Sequence, residues 1–122
     1  MSTILHFCDD PTIASMITYL IRELTHNAYH VETINTTHPE GAIAEYTTTK
    51  PISIVVVEYP EKVEPTIQQL RRHPQFLDAK ILIITGRPTL YQSLISDTVA
   101  IGDKLDRVPM LRAFLSEHDG AS

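Results

Sequence analysis

Apolar runs and helix-period stretches take turns along this chain. Ile4–Cys8 is a short apolar run, and Ile13, Met16, Ile17, Leu20, Ile21 and Leu24 then recur at helical spacing. Asp10 is placed to cap that helix, and Pro11 fits its first turn. Tyr29–Ile34 predicts a second strand and Gly41–Tyr46 a short helix. Ile52–Val57 is apolar on both faces, as a central parallel strand requires. Ile67–Arg72 predicts a helix closed by His73-Pro74, Ile81–Ile84 a fourth strand, and Leu90–Ile95 a short helix. Val99–Ile101 predicts the last strand, and Val108, Leu111, Phe114 and Leu115 mark a final helix. Strands alternating with helices in this way imply an α/β fold, a doubly wound parallel sheet with helices on both faces.

Size and composition narrow the class. The 122 residues suit one domain, here residues 1–118 with a loose tail over 119–122. A formal charge of −5 argues against direct nucleic-acid binding. The apolar runs are too short for membrane insertion, and the N-terminus carries no leader pattern. Cys8 has no partner for a disulfide, which suits a reducing compartment, so the expected location is cytoplasmic.

The candidate chemistry collects at strand ends. Asp9-Asp10 closes the first run, Glu58 adjoins the third, Thr85 ends the fourth and Lys104 follows the fifth. In open α/β sheets ligands gather outside the carboxyl ends of the strands, so these side chains are expected on one rim. The four glycines form neither a dinucleotide fingerprint nor a phosphate loop. The six histidines show no HxH or HExxH pairing, and no histidine metal site is expected.

Acidic pair, central strand, hydroxyl and lysine, in that order, resemble the receiver domain of response regulators over nearly the whole chain. The resemblance implies a CheY-like (flavodoxin-like) five-stranded sheet of order 2-1-3-4-5. It implies that Asp9 and Asp10 bind Mg²⁺ and that Thr85 and Lys104 contact a phosphoryl group. The nucleophilic aspartate expected at the end of the third strand is missing. Counting from Lys50-Pro51 puts Val57 there, whereas chemistry would favour Glu58, which reaches the pocket only through a bulge or an altered turn. The loop Tyr59-Pro60-Glu61-Lys62 lacks the family's glycine turn, Leu105 stands where the family has proline, and Ile101 stands at the switch aromatic. The short span from Thr85 to Lys104 leaves the fourth helix short or irregular. The chain is similar to a degenerate receiver, or pseudo-receiver.

Blander roles compete at each residue. Asp9 and Asp10 could serve only the first helix, Thr85 could be satisfied by backbone, and Lys104 could pair with either aspartate. Without the third carboxylate, Mg²⁺ binding is expected to be weak at best, and no cofactor is required. Cys8 reads as a small core residue whose acidic neighbours discourage the thiolate. The expected function is a stand-alone, non-enzymatic signalling module of a two-component phosphorelay. It would work by protein–protein interaction with a histidine kinase, an output protein or a second copy of itself. Its expected face includes Leu90, Tyr91, Leu94, Leu105, Val108 and Met110, which could equally be core. One alternative accepts a phosphoryl group on Glu58, Asp9 or Asp10; another is a flavodoxin-like binder of a nucleotide or flavin.

Overall fold

The computed structural model describes residues 2–47 and 50–119, with 117–119 as backbone only. Five strands, β1 (Ser2–Cys8), β2 (Tyr29–Asn35), β3 (Ile52–Glu58), β4 (Lys80–Thr85) and β5 (Val99–Asp103), form one parallel sheet. Their order is β2-β1-β3-β4-β5, the expected doubly wound arrangement. The helices are α1 (Pro11–Leu24), α2 (Pro39–Glu45), α3 (Val63–Arg72) and α4 (Arg107–Asp119). Of the tail expected over 119–122, Asp119 ends α4 and 120–122 lie outside the described residues. No helix among the described residues is long and apolar enough to cross a membrane.

Strand alternation sorts the core into two layers. Leu5, Phe7, Val55, Val57, Ile81 and Ile83 face the side covered by α2 and α3, where they meet Ile43, Val63 and Leu70. Ile4, Ile54, Val56, Leu82 and Ile84 face α1 and α4, where they meet Ile17, Ile21, Leu111 and Phe114. Each fully buried aliphatic side chain contributes about 1.5–3 kcal/mol, so both layers are strongly fixed.

The β1–β3 register contains one irregularity that decides the chemistry. Thr3 pairs with Ile52, yet Ile4 pairs with Ile54, so Ser53 is an extra residue in β3. Such a bulge reverses which face every later side chain takes. Ile52 accordingly packs in the α2/α3 layer, while Ile54 packs in the α1/α4 layer. The same reversal sends Val57 into the apolar α2/α3 core and Glu58 to the α1/α4 side.

The segment between β4 and β5 is also irregular. A 3₁₀ stretch, Pro88–Leu94, kinked at Tyr91, replaces the expected helix over Leu90–Ile95. The expected short or irregular fourth helix is therefore a 3₁₀ stretch.

Candidate functional site

At the carboxyl end of the sheet, β1 and β3 deliver His6, Cys8 and Glu58 to one buried cluster. Residues two apart on a strand share a face, which aligns His6 with Cys8 and places both beside Glu58 on the neighbouring strand. All three are buried, and Glu58 retains 4 % of its exposure. A carboxylate so far from water needs charged or hydrogen-bonded partners. Arg107, the first residue of α4, supplies them: its Nε lies 2.8 Å and its Nη2 2.6 Å from Glu58 Oε1. The other oxygen, Oε2, accepts a hydrogen bond from His6 Nε2. Because a carboxylate only accepts, Nε2 carries the proton. His6 Nδ1 is buried with no partner among the described residues.

The electrostatics follow from these contacts. Burial raises the Glu58 carboxyl pKa, but the hydrogen bond from His6 and the positive field of Arg107 outweigh it. The net value lies below the ordinary 4.5. Burial pushes the Cys8 thiol from 9.0 up to about 11, with the negative charges of Glu58 and Asp9 adding to the rise. The thiol donates to the Asp10 carbonyl at 3.5 Å.

Above the cluster lies a recess of about 270 Å³ bordered by Asp9, Asp10, Tyr59, Lys104 and Arg107, with Cys8 and Glu58 in its floor. Tyr59 takes a left-handed backbone (φ 56°), and its N–H donates to the Ile84 carbonyl at 2.8 Å. Here a tyrosine makes the tight turn for which a glycine is the usual residue. Burial raises the Tyr59 hydroxyl pKa, against the opposing pull of Arg107.

Of the residues expected from sequence, Asp9, Asp10, Glu58 and Lys104 meet at this recess. Asp10 caps α1, accepting from the N–H groups of Thr12 and Ile13 at 2.9 and 3.3 Å. Lys104 is exposed and forms no ion pair with Asp9 or Asp10 among the described residues. The expected pairing of Lys104 with Asp9 or Asp10 is thus not formed among the described residues, and the ion pair at the recess is Arg107 on Glu58. Thr85 does not border the recess; its hydroxyl accepts from the Arg87 N–H at 3.3 Å, the backbone-satisfied alternative. Val57 is wholly buried in the other layer, so the count that put it at the strand-end pocket is corrected by the bulge at Ser53.

The expected interaction face divides. Leu90 and Leu105 are 63 % and 83 % exposed. Tyr91 and Leu94 pack against the α2/α3 core, and Met110 packs against the α1/α4 core. Val108 is half-buried. The core-forming reading therefore holds for Tyr91, Leu94 and Met110.

His6 and Arg107 are the site residues that sequence reasoning missed. The signals were a histidine inside an apolar strand two residues before Cys8, and an arginine heading a helix. The amino end of a helix disfavours a cation unless an anion faces it; Glu58 is that anion.

The chain matches no known family model and no curated protein. Among solved structures it is similar to a sensor protein from Polaromonas sp. JS666. The TM-score is 0.69 at 16 % identity, over 95 % of this chain and 94 % of that one. At that identity the likeness establishes the fold, and with the sheet order it makes this chain an α/β domain of the flavodoxin-like, CheY-like type.

Proposed function

We propose that the chain is a receiver-like signalling module that acts by binding protein partners and not as an enzyme. The observation that carries this reading is the state of Glu58. A phosphoacceptor carboxylate needs an oxygen free to attack and room for the incoming group. Here one oxygen is held by Arg107 and the other by His6, beneath the surface. The negative charge that phosphorylation would add is already present and already paired, so the recess rests in one charged state. The fold, the acidic pair and Lys104 at the same recess favour a receiver ancestry over a flavin or nucleotide site, and the name of the sensor-protein neighbour agrees with signalling. The partner is a two-component kinase, an output protein or a second copy of the chain. Leu90 and Leu105 supply exposed apolar contacts for it. Mg²⁺ at Asp9 and Asp10 is weak, since Asp10 is committed to the helix cap and Glu58 to Arg107.

The test is intact-mass spectrometry after incubation with acetyl phosphate and Mg²⁺, beside an ordinary receiver. The reading expects no added phosphoryl group on this chain under conditions that label the control. A stoichiometric adduct on Glu58, Asp9 or Asp10 would overturn it in favour of an unusual phosphoacceptor.

A further inference from the structure

We infer that the buried ends of β1 and β3 form a site for a borderline-soft divalent cation of the zinc class, with His6, Cys8 and Glu58 as its protein ligands. An imidazole nitrogen, the Cys8 Sγ and a Glu58 carboxylate oxygen all lie within 4.8 Å of one another, and all three residues are buried. Nitrogen, thiolate and carboxylate on three side chains, two of which (Cys8 and Glu58) border the recess, are the donors of a tetrahedral zinc site whose fourth place is left to water. A sequence screen for paired histidines passes over this set because its ligands come from two strands.

Two further observations are compatible with an ion. His6 is a fully buried polar side chain whose Nδ1 has no partner among the described residues, although Glu58 already has Arg107. Because Nδ1 holds no hydrogen bond among the described residues, the ring can exchange its one hydrogen bond, to Glu58, for a metal bond without breaking another. Charge is the second. Three carboxylates (Asp9, Asp10, Glu58) and two cations (Lys104, Arg107) border the recess. Ionising Cys8 adds one negative charge, and a dication then brings the group to neutrality. Arg107 keeps Oε1 of Glu58 while the metal takes Oε2 in place of the His6 N–H.

Binding forms bonds from the metal to Sγ, to Oε2 and to the imidazole. It breaks the thiol S–H and the His6–Glu58 hydrogen bond. The thiol proton passes to water, and the ring keeps a proton on the nitrogen not bound to metal. No electron moves. The inference does not rest on the signalling reading, because its test observes only the metal.

The experiment is titration of the chelator-treated, reduced protein with Co²⁺, followed by Zn²⁺. The chain has one cysteine, so a thiolate-to-cobalt charge-transfer band in the near ultraviolet reports Cys8 alone. The expected result is a band that saturates at one Co²⁺ per chain, with intense tetrahedral visible absorption, and that Zn²⁺ abolishes. Cys8→Ser should remove the band. His6→Gln should weaken binding by at least roughly tenfold, since losing even a hydrogen-bond partner of a metal ligand costs that much. Absence of the band in the wild-type protein would overturn the site whatever the variants do. A pale octahedral spectrum unchanged by Cys8→Ser would place the metal on exposed histidines and overturn it equally.

Discussion

The two faces of the sheet meet the end of β3 in opposite ways. On the α2/α3 side, Val57 ends an unbroken apolar layer with Phe7, Val55 and Ile83. On the α1/α4 side, one residue further along, the layer that begins with Ile4, Ile54 and Val56 turns polar at His6, Cys8 and Glu58, and Arg107 closes it. At the end of β3 one face closes in hydrocarbon at Val57; the other holds a carboxylate that would be intolerable without its partners. A single extra residue, Ser53, assigns Val57 and Glu58 to their sides. Charge at this strand end is thus a matter of register as much as of residue type.

The largest expected effect comes from moving the acid to the wrong face. Val57→Asp introduces a carboxylate but buries it among hydrocarbon, where an unpaired carboxylate costs several kcal/mol. The variant is expected to unfold in urea far below the wild-type midpoint. A stable Val57→Asp protein that takes up phosphoryl groups would break the assignment of faces. Next is Arg107→Met, which leaves Glu58 with His6 alone. Removing one member of a buried pair costs about 3–5 kcal/mol, readable from chemical denaturation. Adding Glu58→Leu to Arg107→Met should recover most of that loss; failure to recover would mean that Arg107 acts through packing elsewhere.

A smaller effect is the acid limb of stability. The folded-state pKa of Glu58 is lowered, so the unfolded chain binds more protons in the window between the two values. Its contribution is present above the ordinary 4.5 and fades as pH falls through the folded value. Melting temperature against pH should flatten over that window in Glu58→Gln, and parallel curves would remove the linkage. The smallest effect separates the acidic pair. Asp10→Ala should cost about 1 kcal/mol through the lost helix cap, whereas Asp9→Ala should leave denaturation nearly unchanged. Equal losses would mean that the two carboxylates share one task.

The order of elements and the two apolar layers were legible because period and burial agree along β1, α1, β3 and β4. The rim was legible in part: Asp9, Asp10, Glu58 and Lys104 could be named from strand ends. The bulge was not, because Ser53 is one unremarkable polar residue near the start of a strand. Without it, neither count at Val57 or Glu58 could be decided. Arg107 escaped because an ion pair between residues so distant in sequence leaves no local pattern. Tyr59 escaped because its left-handed turn uses a residue that does not advertise one.

The most direct test of the account is the amide NMR spectrum with Mg²⁺ and then beryllofluoride, the phosphoryl mimic. A recess whose carboxylate is already paired predicts no saturable shifts at Glu58, Thr85 or Lys104, and none spreading into β5 and α4. Saturable shifts at those residues that propagate to Ile101 and Met110 would mean that Arg107 releases Glu58, and the account of a fixed charged state would be wrong.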